Sequence, residues 1–551
     1  MEVMIPLGID RFDKLREDNY YYADKTGLIR ELLNTKFEVN LITRPRRFGK
    51  TLMMSMLEAF FDLNRDSRTL FSGLNIDGET ALCREWMNRW PTVFVSFKSA
   101  EGLNFDGAYG MLKVLIANLY KKYAFLEESL QVDEADRILF KRIKGQEESA
   151  ENLKDSLLLL TRMLHAHYGK MVILLIDEYD VPLAKAHDNG YYKEMLDVMR
   201  LLLGNALKTN PHLKFSVITG CLKISKESIF TGLNNVVANT ITVERFDEYF
   251  GFTEGDVRKL LLDTGFSGHA QEIREWYDGY RFGMVDVYCP WDVLNHTAAL
   301  QMNEKAQPRN YWAATSHNDI IYKLLENREF DVDGKFEALL AGSSIQEDIT
   351  EELTYDSIET SEKNLWSLLF MTGYLTLAKN PAGQTLLRIP NEEVKSIFQT
   401  TIVDWFKREV QTVDRTGLFA ALWNGDAEMA ADLISDLLFS TISYHDYRES
   451  YYHAFVAGLF AGAGYVVESN YVYGDGRPDV VVKEKKNRRV MLFEVKHTKE
   501  KAQLGKACEE AVQQIKKQRY ALAFEGYRMI VSYGIAFSGK ECVMRRAETG
   551  Q

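Results

Sequence analysis

An apolar, strand-like run, Val39 to Thr43, passes through Arg44-Pro45-Arg46-Arg47-Phe48-Gly49-Lys50-Thr51 into a helix-like stretch, Leu52 to Phe61. A strand that turns tightly into a helix start presents backbone N–H groups and the positive end of the helix dipole to an anion. The rest of the N-terminal half fits around that unit. Strand candidates Thr92 to Phe97, Met171 to Ile176, Lys214 to Thr219 and Thr240 to Val243 alternate with helical stretches such as Asn152 to His167. This alternation predicts an α/β fold, a parallel sheet with helices on both faces. Asp24, ahead of Leu28 to Leu33, reads as a helix N-cap.

The turn follows the phosphate-loop (Walker A) pattern Gly-x-x-x-x-Gly-Lys-Thr except at its first position, where Arg44 stands. Lys50 is expected to reach the β- and γ-phosphates of a nucleotide and Thr51 to ligate Mg²⁺. Asp177, closing the Met171 to Ile176 strand like a Walker B carboxylate, is expected to hold Mg²⁺ through water. Glu178 is the candidate for polarising the attacking water, and Thr219 for sensing phosphate. Glycine at position 44 would permit torsions that arginine adopts only with strain. A different closure is therefore expected, with Arg46 or Arg47 supplying charge and Phe48 and Gly49 completing the nucleotide-binding set. The reading without a ligand is a basic strand-to-helix turn and an ordinary Asp-Glu helix cap.

Five segments occur in order: Tyr22-Ala23-Asp24-Lys25-Thr26, Arg44 to Thr51, Ile176-Asp177-Glu178, Ile229-Phe230-Thr231-Gly232-Leu233-Asn234-Asn235 and Trp276-Tyr277-Asp278-Gly279-Tyr280. Together they resemble the bacterial AAA-ATPase-like family over roughly residues 5 to 300. The resemblance implies an ATPase related to AAA+ and STAND types, with ATP and Mg²⁺ as cofactors, and makes Arg44 a family trait. It implies no substrate. Asn234, Asn235 and the Trp276 to Tyr280 segment read as packing or turn residues. Arg245 and Arg281 are guesses for an arginine finger that spacing does not assign.

A second pair of signals lies near the C-terminus, Gly476-Arg477-Pro478-Asp479 and Phe493-Glu494-Val495-Lys496. Element order around it reads helix Glu449 to Ala461, strands Tyr465 to Ser469, Asp479 to Lys483 and Arg489 to Val495, helix Ala502 to Tyr520, and strand Arg528 to Tyr533. Glu494 and Lys496 alternate along one strand and so share a face, and a hairpin brings Asp479 to them. Hydrolysis of a phosphodiester needs such carboxylates as metal ligands and is helped by a cation near the water. Asp479 and Glu494 are the expected metal ligands, Glu449 a further one, Lys496 the group that positions water, and Gln514 an accessory. The bland alternative is a solvated cross-strand ion pair. The segment resembles the PD-(D/E)xK nuclease superfamily, of the type fused to AAA-ATPase-like domains, with Ala511, Ile515 and Tyr520 also matching.

Between the two lies a region of short amphipathic helices from about Phe250, an acidic stretch from Gly342 to Lys363 expected as an exposed connector, and a helix feeding a small hairpin. The hairpin is Gly373 to Leu377 with Leu386 to Ile389, which suggests a winged-helix-like unit. The expected domains are 1–250 (ATPase-like), 251–430 (helical and winged-helix-like) and 431–551 (nuclease-like). His165, His167, His445 and His453 lack partners at metal-ligand spacing and read as packing or surface residues.

Net charge is −12, which argues against a wholly nucleic-acid-binding surface. From Tyr471 onward, however, 17 Lys and Arg face 10 Asp and Glu, leaving −19 on the rest. A basic tail on an acidic body fits phosphate contacts there, with DNA expected ahead of RNA. Five scattered cysteines, no apolar run of membrane-spanning length and no secretory start point to a cytoplasmic protein. The expectation is an ATP-binding and ATP-hydrolysing protein whose nucleotide state controls a Mg²⁺-dependent nuclease, consistent with defence or mobile-element biology. The alternative is a STAND-like switch whose C-terminal domain binds without cutting. Homo-oligomerisation fits either.

Overall fold

The computed structural model describes residues 3–147, 153–223, 229, 234–312, 321, 333–379, 384–411, 414–441, 449–461, 463, 465–469, 477–524 and 526–547. The chain packs into two units, 1–316 with 346–393, and 317–345 with 394–551.

The first unit is built on β1 (Val39–Thr43), β2 (Thr92–Ser96), β3 (Val172–Asp177), β4 (Leu213–Gly220) and β5 (Val236–Asn239), in the order β2-β3-β4-β1-β5 with every pair parallel. β1 and β3 are buried along their whole length, which is why β3 reads as an apolar run from Val172 to Ile176 and β1 shows no alternation, its Asn40 and Thr43 being buried with their neighbours. Helix Lys50–Phe61 packs on β2 and β3, and helices Ser156–Tyr168 and Tyr192–Leu207 pack together. Because β4 lies between β3 and β1, the carboxyl ends of these three strands form one rim. In open α/β sheets this is where ligands bind.

The fifth strand differs from expectation. Val236–Asn239 pairs with Val39 to Ile42, while Thr240 to Val243 turns away, with Val243 N donating to Thr240 O at 3.2 Å. Asp24 is not a cap either. Thr26 precedes helix Gly27–Thr35, and Asp24 instead accepts from the Thr26 backbone and hydroxyl and from Asn75 N.

Beyond the sheet, β6 (Tyr280–Phe282) and β7 (Val285–Val287) form a hairpin, followed by helix Pro290–Met302. Short strands β8 (Ile345–Gln346), β9 (Thr376–Leu377) and β10 (Leu386–Arg388) come next, and β9 and β10 pair antiparallel after helix Glu362–Thr372. Gly279 explains its motif. Its φ is +98°, and a Cβ there would sit 2.0 Å from Pro390 O. The stretch expected as an exposed connector is exposed at Gly342 to Ser344, Gln346 and Asp348 but packed further on: Leu353 and Ile358 are buried, Thr240 donates to Glu351 at 3.2 Å, and Lys223 meets Glu352 at 3.1 Å.

In the second unit β11 (Val466–Ser469), β12 (Val480–Glu484), β13 (Arg489–His497), β14 (Met529–Ser538) and β15 (Glu541–Ala547) follow sheet order. Only β13 and β14 run parallel. Helix Glu449–Ala461 packs on β11 to β13, and helix Leu504–Gln518 on β13 to β15. Gly534 permits that approach, since a Cβ would lie 2.8 Å from Val512. β15 is the strand missed in the sequence, where Glu541, Arg545 and Arg546 mask its pattern. Among the described residues no helix is long and apolar enough to cross a membrane.

Candidate nucleotide and nuclease sites

β1 delivers the chain to the loop, and Lys50 is the first residue of the following helix. Lys50 Nζ donates to Arg44 O at 2.9 Å and Pro45 O at 2.8 Å, and lies 3.7 Å from Cys221 Sγ. Behind it, Thr51 Oγ1 donates to Asp177 Oδ2 at 2.9 Å and Thr219 Oγ1 to Asp177 Oδ1 at 2.5 Å. Loop, carboxylate and Thr219 thus converge from β1, β3 and β4. A hydroxyl and a carboxylate together at a phosphate loop are the donor set that suits Mg²⁺. Glu178 follows with a left-handed φ of 53°. Burial, then Asp177, holds its carboxyl above the usual range, while Lys50 and Lys98 oppose that shift.

Arg44 overturns the expectation of loop strain at its position. Its φ is not positive; the left-handed residues are Arg47 (φ 71°) and Gly49 (φ 80°). Its side chain is 0% exposed and points away from the loop opening, donating to Thr43 O and Asn239 O at 2.8 Å and to Phe246 O at 3.1 Å. The guanidinium lies over Phe250 and Phe282, and burial draws it down to about 9. Phe48 packs edge-on and tilted against Tyr280 and Phe282, so it offers a ligand its backbone. Arg46 is exposed beside Cys221 and Asp180, and Arg47 stacks over Trp291.

Asp180 was missed in the sequence. It is 4% exposed and accepts from Cys221 N at 2.8 Å and Leu222 N at 3.1 Å, fixing the turn after β4. The motif Tyr179-Asp180 directly after Glu178 was its available signal. Arg245 donates to Asn239 and Arg281 to Asp286, so both guessed fingers are held within the chain. Asn235 donates to Glu38 and Leu207 O, a packing role; residues 230–233 lie outside the described residues.

In the second unit Asp479 stands one residue ahead of β12, and its Oδ2 accepts from Val495 N at 2.7 Å. Glu494 is 1% exposed; Lys496 Nζ lies 3.6 Å from its Oε1, and its Oε2 has no hydrogen-bond partner among the described residues. Burial, then Asp479, pushes Glu494 up to about 8. Tyr520 donates to Arg477 O at 3.2 Å, and its hydroxyl lies beside Glu494 and Gln514. Asp479, Glu494, Lys496 and Gln514 therefore gather at one place. Among the described residues no three His, Cys, Asp or Glu side chains form a metal shell by themselves. Two adjacent carboxylates with an orphaned oxygen nonetheless fit a divalent cation completed by water or phosphate. The side chain of Glu449 and the turn at 474–476 lie outside the described residues.

His453, read as packing, donates from Nε2 to the Asp479 carbonyl. Its position four residues after Glu449, on the same helix face, was the signal. His165 meets His212, and His167 meets Ser129; His445 lies outside the described residues.

Residues 6–230 match the family described as Predicted AAA-ATPase, and residues 447–547 match the PD-(D/E)XK nuclease superfamily. The chain joins an AAA-ATPase-like domain to a PD-(D/E)XK nuclease superfamily domain. The AAA-ATPase-like match contains the phosphate loop, Asp177, Glu178 and Thr219, and the nuclease-superfamily match contains Asp479, Glu494, Lys496 and Gln514. An "Uncharacterized protein in vnfD 5'region" of Azotobacter chroococcum mcd 1 is 28% identical over 536 residues, covering 94% of this chain and 93% of that protein. The similarity therefore extends over both domains and the region between them.

Proposed function

We propose that this protein binds and hydrolyses ATP at the Arg46 to Thr51 loop and that nucleotide state controls a Mg²⁺-dependent nuclease acting on DNA. The observation that carries the reading is the buried Glu494 carboxyl, its Oε2 unpartnered, with Asp479 and Lys496 beside it. An isolated structural glutamate would be neutralised by partners; here the charged neighbours are a second carboxylate and one lysine, a set that suits a metal site, with the Tyr520 hydroxyl beside them. Asp479 and Glu494, with Glu449 on the adjoining helix, are the ligands we assign. Mg²⁺ supplies charge neutralisation at the phosphate and a more acidic water. Lys496 orients that water, and Gln514 with Tyr520 fixes the Glu494 side.

In the ATPase-like domain, Thr51 and Asp177 are assigned to Mg²⁺, Lys50 to the phosphates, Glu178 to the attacking water and Thr219 to a sensing role. Burial and Asp177 raise the Glu178 carboxyl, which makes its carboxylate a stronger base and supports the general-base role. The free cysteines support a reducing, cytoplasmic setting.

The test is cleavage of labelled single- and double-stranded DNA with Mg²⁺ or Mn²⁺, with and without ATP, beside Lys50→Ala and Lys496→Ala. Loss of cutting in Lys496→Ala, with ATP dependence removed by Lys50→Ala, is the expected result. ATP turnover with no cutting of either substrate would replace this reading with that of a regulatory switch.

A further inference from the structure

The phosphate loop touches the start of helix Pro290–Met302 at two points. Cys289 Sγ lies 3.9 Å from Arg47 O, and the Arg47 guanidinium lies 4.3 Å from the centre of the Trp291 ring. Trp291 is anchored in turn, its Nε1 donating to Tyr311 O at 3.3 Å. Arg47 is exposed, and among the described residues its guanidinium has no hydrogen bond or ion pair. Its left-handed backbone is a conformation an arginine occupies at a cost, and such strain gathers where a residue must change state.

Next to Trp291, Asp292 is fully buried and its carboxyl faces the Cys289 thiol and the Glu393 carboxyl. Glu393 Oε1 accepts from Trp312 N at 2.9 Å. Tyr277, Tyr280 and Tyr311 also face the pair, and Arg47 is a cation within reach of it. Two buried carboxyls so placed do not both ionise. Burial and Asp292 push Glu393 up, and burial raises Asp292 as well, so the pair shares one proton and one negative charge.

We propose that Arg47 is a two-position switch: it rests on Trp291 beside the buried Asp292–Glu393 pair, and moves its guanidinium to the polyphosphate of a bound nucleoside triphosphate. This deepens the nucleotide reading and rests on it. The two positions compete for one cation, an aromatic face with a single buried charge against several phosphate charges at the same loop. Resting therefore lowers nucleotide affinity, and every nucleotide bound pulls Arg47 off the helix start. The same movement would report nucleotide binding to helix Pro290–Met302.

Equilibrium titration of the full-length protein with ATP and Mg²⁺ tests this. Arg47→Ala weakens binding about tenfold, whereas Trp291→Leu and Asp292→Asn each tighten it about three- to tenfold. The tightening vanishes when either is combined with Arg47→Ala, because the competition it relieves is gone. Trp291→Phe keeps the ring and gives a smaller tightening, and serves if the leucine variant does not fold. Unchanged or weaker binding in Trp291→Leu, Trp291→Phe and Asp292→Asn proteins that melt like the wild type overturns the switch. So does tightening that persists without Arg47. A wild-type protein that takes up no nucleotide, or a Lys50→Ala variant that binds as well as wild type, overturns the underlying reading instead.

Discussion

Arg44 occupies a position where glycine is the common residue, and its guanidinium serves three carbonyl oxygens from β1, β5 and the Phe246 turn. Arg44→Gly is therefore expected to destabilise the ATPase-like domain by about 2–4 kcal/mol, since it leaves buried carbonyls unpaired. Thermal melts of the two proteins decide this, and a glycine variant as stable as the wild type would contradict it. Glu494 makes a pH-dependent prediction. Its folded value of about 8 lies above the ordinary value near 4.5, so the folded state keeps a proton the unfolded state loses. The associated stability is full below about 4.5, declines as pH rises, and is gone above about 8. Glu494→Gln should flatten that decline and stabilise the nuclease-superfamily domain by about 0.5–2 kcal/mol at pH 8, while abolishing cleavage. Calorimetry at pH 5 and pH 8 reads the first effect. Mg²⁺ should raise the wild-type melting temperature at pH 8 more than at pH 5, because a proton and the cation compete for one carboxyl.

At the scale of elements, Gly279 shows a motif acting through backbone. A side chain at position 279 meets both the positive φ and the Pro390 carbonyl, so Gly279→Ala should cost about 2–4 kcal/mol. Urea unfolding measures it; a loss below the error of the experiment would mean the hairpin can shift. Strands β1 to β4 were legible because each carries a compact group of apolar, largely β-branched residues between helix-like stretches, unbroken in β3 from Val172 to Ile176. β5 was not, because Val236–Asn239 and Thr240 to Val243 are equally strand-like, and only pairing with β1 selects the first. β15 is an edge strand with charged residues facing out, a pattern that reads as a surface tail until β14 supplies its partner. The stretch around Leu353 and Ile358 read as a connector because its acidic residues dominate locally. Their partners, Thr240, Thr242 and Lys223, are far away in the chain.

Across the whole molecule, the C-terminal surplus of Lys and Arg on an otherwise acidic chain predicts salt-sensitive DNA binding. Affinity should fall about tenfold or more between 50 and 200 mM salt, steeper than for ATP. Filter binding across a salt series checks it, and a flat response would remove phosphate contacts from the account. The two sites were legible at the level of candidate residues. Phosphate loop, Asp-Glu pair and Glu-x-Lys strand are set by near neighbours, since strand alternation and a strand-to-helix turn already dictate which side chains share a face. Local sequence therefore pointed to the two matched families and to side chains that the fold brings together, Thr51 with Asp177 and Thr219, and Asp479 with Glu494 and Lys496. Packing between distant segments settled the rest: where Arg44 points, that Asp180 braces the turn after β4, that His453 reaches Asp479, and that Asp292 and Glu393 share one buried place. The reason is physical. Burial and charge proximity set protonation and partner choice, and both depend on which remote chain segment closes over a residue, a property no local pattern carries.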